Sequence, residues 1–415
     1  LKLVRTSLFS ALITFIRIAS GFVASKFVAL VTGPAGMALI GQFTNFITVV
    51  LNFANGAINT GVVKYTAEYE NDDAKLRTVF STSLRISIYC SLFTGTLLLL
   101  TAPYCSEWIF KTGIYANAIH TLGFTIILYS VNSLLISILN GKKQISTYTI
   151  VNTAGSVIGL LFTIILVYRY KIYGALYALV LAQSIVVFIT IVLIVKSPWF
   201  KWKYFNEKLD PVFAKKLAAF SLMTIISAIT APLSQIFLRN ILIQKFGINN
   251  AGYWQGMMRI SDGYLLLITT SLGTYYLPKL SSLHTDAEIK KEVFQTYKIV
   301  MPIVLAGCLV IYFIRIFIIH LLYTPEFDAM APLFIYQLLG DFFKIAAWLL
   351  GYLMIAKAMT KAYIITEIIF SIGYVLLGYV CMNLFNLQGI TIAFAVNYFI
   401  YLIVMVFIFR KLLFK

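Results

Sequence analysis

Long apolar runs separated by short polar segments recur along the whole chain, near residues 6–31, 36–60, 78–102, 116–139, 147–169, 173–195, 216–243, 250–276, 297–320, 330–356, 361–383 and 387–409. A bilayer-crossing helix needs roughly 20 predominantly apolar residues, so the pattern predicts about twelve transmembrane helices. Inside several runs the polar residues recur at spacings of three and four, which puts them on one helix face. The first run carries Ser7, Ser10, Thr14, Arg17, Gly21 and Ser25; the second carries Gln42, Asn45, Thr48, Asn52, Asn55 and Asn59. The seventh has Ser221, Thr224, Ser227, Ser234 and Arg239, and the eighth Gln255, Arg259, Asp262, Thr269 and Gly273. A single Ser or Thr in such a stripe is most simply a helix-packing residue. Amides and guanidinium groups facing lipid would lack partners, so the Asn/Gln stripe with Arg17 and Arg259 predicts a hydrated central cavity.

Composition fixes the class. Hydrophobic residues make up 60% of the 415 and charged residues 12%, which leaves no room for a soluble core domain and predicts an all-α membrane protein. The net charge of +18 would suit nucleic acid if it formed one patch, but the basic residues sit between the apolar runs. With the N-terminus taken as cytoplasmic, the opposite loops hold only Lys111, Arg169, Lys171 and Lys245. The positive-inside rule then places both termini in the cytoplasm. Lys2 and Arg5 before the first run resemble a signal peptide, but the run is too long and lacks a small-residue cleavage site, so it is read as the first membrane helix. Cys90, Cys105, Cys308 and Cys381 have neither metal-ligand nor disulfide-framework spacing and are expected to be packing residues. The longest polar connection, rich in lysine and containing Pro198 and Pro211, divides the chain into a six-helix lobe (1–196), a cytoplasmic linker (197–215) and a second six-helix lobe (216–415). Six-plus-six parallel repeats are a transporter architecture.

Charge inside the apolar runs points to the cargo. A cation at bilayer depth costs at least ~2.5–3.5 kcal/mol, so such residues mark a pathway or site. Arg17, Lys26, Arg85, Arg239, Arg259, Arg315 and Lys344 outnumber Asp262, Asp341 and Glu367. Lys26, Arg239 and Arg315 lie near outer ends of their runs and Arg85 near an inner end, where long side chains snorkel to the interface. Arg259 with Asp262, and Asp341 with Lys344, are three apart and are expected to neutralise each other. Arg17 lies near the middle of its run. An excess of positive charge suits an anionic substrate, and the planar fork of arginine matches phosphate oxygens. The expected substrate-binding set is Arg17, Lys26, Gln42, Asn45, Asn52, Arg239, Gln255 and Arg259; the expected coupling or gating set is Asp262, Asp341, Lys344 and Glu367. His120, His284 and His320 form no catalytic or metal constellation, and no Gly-x4-Gly-Lys-Ser/Thr loop is present, so neither an enzyme nor ATP use is expected. No cofactor is expected, apart from coupling to H+ or Na+ through the carboxylates.

The strings Gly61-Val-Val-Lys-Tyr65, Tyr253-Trp-Gln-Gly256, Ile260-Ser-Asp262 with Tyr264-Leu265, Gly340-Asp341 with Lys344, and Gly351-Tyr-Leu with Ile355-Ala-Lys-Ala358 resemble the Wzx-type polysaccharide flippases of the multidrug/oligosaccharidyl-lipid/polysaccharide (MOP) superfamily. The likeness runs over essentially the whole chain, is strongest from Ser221 to Ala358, and is closest to the branch serving enterobacterial common antigen. It implies a MATE-like fold with alternating access of two lobes. The implied activity is transfer of an undecaprenyl-diphosphate-linked oligosaccharide, of the common-antigen or O-antigen type, from the cytoplasmic to the periplasmic leaflet of the bacterial inner membrane. Implied partners are the lipid bilayer and the polymerase and chain-length regulator of such a pathway. Lys26, Arg239, Asp262, Asp341 and Lys344 match the common-antigen pattern. Arg17 stands where that pattern has a lysine and Arg259 where it has a small polar residue. The alternatives are a cation-coupled multidrug antiporter of the same superfamily, whose pocket for organic cations would be acidic or aromatic, and a polytopic glycan polymerase, which would need a sizeable outer loop or acidic catalytic residues.

Overall fold

The computed structural model describes residues 2–197, 199–283, 285–357 and 359–414, with the side chains of 2–14, 219–220, 222–223 and 274 left aside. His284, Pro198 and Ala358 of the sequence reading therefore lie outside the described residues, as do the side chains of Ser7, Ser10 and Thr14. The described chain is helical, without strands. In order, the helices are α1 (Lys2–Ala54), α2 (Asn59–Glu68), α3 (Asp73–Phe110), α4 (Ala116–Gly141), α5 (Ile145–Val195), α6 (Pro211–Phe246), α7 (Ile248–Ser271), α8 (Leu277–Ser282), α9 (Asp286–Phe313), α10 (Arg315–Leu322), α11 (Phe334–Ala356), α12 (Thr360–Phe385), α13 (Gly389–Ile408) and α14 (Arg410–Phe414).

Eight stretches among the described residues are long and apolar enough to cross a membrane. Three of them contain a break. Phe15–Ala54 is interrupted at Gly33 (φ 63°, ψ −166°) just before Pro34. Ile145–Val195 is interrupted at Lys171 (φ 51°, ψ −126°), and Thr360–Ile408 at Asn386 (φ 52°). Helix α7, which carries Arg259 and Asp262, falls outside the eight. Its polar stripe lowers its hydropathy without preventing a helix, because backbone bonding is internal to the segment.

The chain forms two compact units, Leu1–Thr32 with Leu39–Leu233, and Gly33–Ala38 with Ser234–Lys415. In the first, α3 and α4 cross closely: a Cβ added to Gly95 would lie 2.7 Å from the Gly123 carbonyl oxygen. The lysine-rich connection does not run free. Its turn Trp202–Phe205 is strapped along α3, where Ser81 Oγ donates to the Tyr204 carbonyl (2.9 Å), Arg85 Nε to the Glu207 carbonyl (2.8 Å) and the Asp210 amide to Thr82 Oγ1 (3.1 Å). The Phe80 ring packs against Tyr204 and Phe205 at centroid distances of 5.8 and 5.6 Å. Arg85 thus spends its charge on the strap's backbone.

In the second unit, Ala38 packs with Leu238, Leu242, Ala251 and Trp254. The backbone at Pro34 comes so close to α7 that a Cβ on Gly252 would lie 1.9 Å from the Pro34 carbonyl oxygen. Helices α11 and α13 interlock equally tightly at Gly340, where a Cβ would meet Phe394 Cδ1 at 2.3 Å. Small residues at such crossings are what lets membrane helices pack without a hydrophobic driving force.

Candidate functional site

Polar residues of the first unit gather on α1 and α4. Arg17 is exposed and acts electrostatically on the Tyr129 hydroxyl of α4. Lys26 is half-buried; nine residues on, at 3.6 per turn, it lies on the opposite face of α1, so the two cations are not brought together. Gln42 is buried and Asn45 half-buried. The Asn52 amide donates back to the Thr48 carbonyl at 2.8 Å. Beyond it α1 ends at Ala54, and Gly56 (φ 59°) and Ala57 (φ 50°) turn the chain into α2. Asn55 and Asn59 then both donate to Ser133 Oγ of α4, at 3.3 and 2.8 Å. The regular spacing of asparagines therefore runs across a helix break, and its last two members are packing groups between α1, α2 and α4.

Arg239 in the second unit overturns its expected snorkelling. Its residue is 0% exposed. Nη2 donates to Gln255 Oε1, and the guanidinium carbon lies 5.1 Å from the Trp254 ring centroid. Because α7 supplies both an amide acceptor and an indole face, the charge is accommodated inside the unit rather than at an interface. Arg259, one turn beyond Gln255, is exposed and acts electrostatically on Tyr323. Asp262 is exposed as well.

The most elaborate polar cluster surrounds Asp341, which is completely buried on α11. Ser261 Oγ donates to its Oδ2 at 2.6 Å, the Tyr264 hydroxyl donates to the same oxygen, and Gln337 Nε2 reaches Oδ1 at 3.4 Å. Ser261 and Tyr264, three apart on α7, face α11, and Gln337 lies four residues before Asp341 on the same helix face. Three donors converge on an acceptor-only carboxylate. Its expected pairing with Lys344 is not a direct contact: among the described residues the ion pairs do not include Asp341–Lys344, and the lysine acts on the carboxylate only electrostatically. The Lys344 ammonium lies instead over Trp348, Phe394 and Tyr398, 4.9, 5.8 and 5.8 Å from the ring centroids. The short Asp341 side chain reaches α7, while the long lysine stem carries its head to the aromatic face of α13. Glu367, half-buried on α12, acts electrostatically on Tyr398 and Tyr401 of α13. No group of three or more His, Cys, Asp or Glu that could hold a metal ion occurs among the described residues.

Sequence reasoning missed Ser261, Tyr264, Gln337 and Trp254 as site residues. Gln337 was detectable as the residue four before an intramembrane carboxylate. Ser261, Tyr264 and Trp254 stand in the strings that carry the family resemblance, but their partners are not legible there, since each becomes a partner only when α7 meets another helix.

This arrangement of broken long helices is a fold also seen in solved membrane proteins. The structure aligns with the inward-facing conformation of a multidrug resistance MATE family transporter of the MOP superfamily with a TM-score of 0.81, covering 96% of this chain and 94% of that one at 16% sequence identity. The fold is thus that of the MOP superfamily, and the chain is a multi-pass membrane protein. More narrowly, it belongs to the family described as polysaccharide biosynthesis protein, whose profile matches residues 41–332. It is 33% identical over 369 residues to the Lipid III flippase of Escherichia coli (strain K12), spanning 89% of this chain and 88% of that protein. The Lipid III flippase of Shigella flexneri matches to the same extent.

Proposed function

We propose that this chain flips an undecaprenyl-diphosphate-linked oligosaccharide from the cytoplasmic to the periplasmic leaflet of the bacterial inner membrane by alternating access. The observation that carries this reading is the 33% identity to Lipid III flippases across 89% of the chain, well beyond what a shared fold requires. The protein is a transporter and not an enzyme. In this reading the chain makes twelve spans, with the breaks at Gly33, Lys171 and Asn386 as turns between them, and both termini are cytoplasmic. It works beside a polymerase and a chain-length regulator.

Arg17 is the docking cation for the diphosphate: it is exposed and lies far enough along α1 to meet a headgroup drawn into the membrane. Arg259 assists, and the half-buried Asn45 and Asn52 offer amides to the glycan, whereas Gln42 is buried and does not reach it. Arg239, enclosed by Gln255 and Trp254, fixes the helix pair that presents Arg259. Outward movement of an anion across a membrane negative inside is favourable by ~2.3 kcal/mol per charge per 100 mV. Return of the empty cationic site is correspondingly unfavourable, and a proton or sodium ion taken up near Asp341, with Asp262 and Glu367 nearby in sequence or space, offsets it.

The test is leaflet translocation in proteoliposomes containing the lipid-linked oligosaccharide, with an imposed potential. The native chain is expected to flip it, and Arg17→Ala to lose transport while unfolding at the native temperature. Normal flipping by that variant would refute the docking role. Failure of the well-folded native chain over a panel of glycans would refute the flippase reading itself.

A further inference from the structure

The end of α3 remote from the strap carries a cleft of about 400 Å3 lined by Tyr104, Glu107, Trp108 and Lys111. All four side chains are exposed; Tyr104 retains 77% of its surface and Trp108 40%. Tyr104, Glu107 and Trp108 are spaced by three and four and share one face of the last two turns, and Lys111 follows as the cap of the helix. Arg85, bonded to the strap, lies near the other edge of the apolar stretch of α3. At 1.5 Å per residue, positions 104–111 lie about 30–40 Å farther along the axis, which is the opposite headgroup layer of a bilayer.

Aromatic residues at that depth are usual as interfacial anchors. The charges beside them need a further reason. Glu107 and Lys111 are four apart, an arrangement that ordinarily forms an ion pair, yet the ion pairs among the described residues do not include them. Lys111 lies just past the end of α3, which it caps in the left-handed conformation (φ 60°, ψ 24°), its amide bonded to the Glu107 carbonyl at 2.9 Å. That turn is held from both sides. Ser106 Oγ donates to the Thr112 carbonyl at 2.7 Å, and Phe110 packs edge-on against Tyr115 with centroids 5.0 Å apart. An anion and a cation that do not pair with each other are therefore presented in one cleft with two exposed aromatic rings, in the headgroup layer.

We propose that this cleft binds the zwitterionic headgroup of an aminophospholipid, with the primary ammonium on Glu107, the phosphate on Lys111 and the glycerol region against Tyr104 and Trp108. A primary ammonium separated by a two-carbon bridge from a phosphate matches both charges at once. An anionic headgroup satisfies Lys111 but meets Glu107 as a like charge, and a neutral sugar leaves Lys111 unmatched. The site is independent of the flippase reading, because it stands at the end of one helix and within one unit.

The test is native mass spectrometry of the full chain in detergent, titrated with chain-matched phosphatidylethanolamine, phosphatidylcholine and phosphatidylglycerol. The native protein is expected to retain phosphatidylethanolamine about three- to fivefold better than either of the others, the size of one exposed charge pairing. Glu107→Gln is expected to erase the preference over phosphatidylglycerol, and Lys111→Gln to lower retention of all three. The reversed pair Glu107→Lys with Lys111→Glu, which keeps both charges, is expected to keep the preference. Unfolding temperatures check that each variant is folded. Persistence of the preference in Glu107→Gln, equal retention of the three lipids by the native chain, or displacement of the lipid by a neutral soluble oligosaccharide would overturn the assignment.

Discussion

Replacing Gly252 by alanine tests the packing of α7 where the fold leaves it least room. An added Cβ there would sit 1.9 Å from the Pro34 carbonyl oxygen and 2.4 Å from its carbon. Both are backbone atoms in a segment already turned by Gly33 (φ 63°), so neither can rotate away as a side chain would. Contacts of this kind are not tolerated below 3.0 Å, so the two backbones must separate by roughly 1 Å, at an overpacking cost near the upper end of the usual range, ~3 kcal/mol. Helix propensity acts in the opposite direction, since alanine in a helix interior is favoured over glycine by ~1 kcal/mol. The net expectation is a loss of about 2 kcal/mol. Gly307→Ala on α9 supplies the control, because nothing lies within 4 Å of its added Cβ and propensity alone should raise stability. Reversible unfolding of both variants in mixed micelles, read against the native chain, gives the two values. A Gly252→Ala protein as stable as the native one, with Gly307→Ala unchanged or stabilised, would refute the close approach of Pro34 to α7.

Around Asp341, Tyr264→Phe removes one of two hydroxyl donors from a buried oxygen and should cost ~1–2 kcal/mol. Ser261→Ala added to it should cost more than the sum of the single changes, because Oδ2 is then left without either donor; additive unfolding energies in a double-mutant cycle would count against a shared site. Arg239→Met removes the guanidinium between Gln255 and Trp254 but keeps much of the side-chain volume, and is expected to destabilise less than Arg239→Ala, which adds a cavity. Equal losses in the two variants would argue against packing as the difference. At the strap, the Tyr204 hydroxyl and then Lys201 hold the Asp73 carboxyl below its ordinary 3.8, so this contribution is present above that pH and lost as pH falls beneath it. Burial, then the bond to Asp73, pushes the Tyr204 phenol up to about 12, so its contribution is present below pH 10.0 and is lost as pH rises from there to about 12. Tyr204→Phe should abolish the alkaline loss, measured as the denaturation midpoint against pH.

Helical class, apolar runs and the polar character of α7 were legible in the sequence because they depend on one segment at a time. Period, length and hydropathy report what a helix does alone. Partners were less legible. The spacing of Asn52, Asn55 and Asn59 reads as one continuous stripe, but Gly56 and Ala57 adopt positive φ between them, and an alanine gives little warning of that conformation. The polar connection read as a linker, yet Ser81, Thr82 and Arg85 of α3 bind its backbone. Those three residues look in sequence like the ordinary polar beginning of a membrane helix.

The two arginines that shared a place in the expected substrate-binding set make the same point for the site. Arg17 and Arg239 are both cations inside apolar runs, and intramembrane position alone assigns each a functional role. Structure separates them by what surrounds the guanidinium. Arg239 is enclosed by an amide and an indole from the neighbouring helix, so its removal should register first in stability. Arg17 keeps its exposure beside Tyr129, so its removal should register first in transport. Asp341 and Lys344 divide on the same principle: equal spacing on α11 sends one to hydroxyl donors of α7 and the other to aromatic rings of α11 and α13. The charge of a membrane residue can be read from its own position, whereas its role depends on whether a neighbouring helix has already answered that charge.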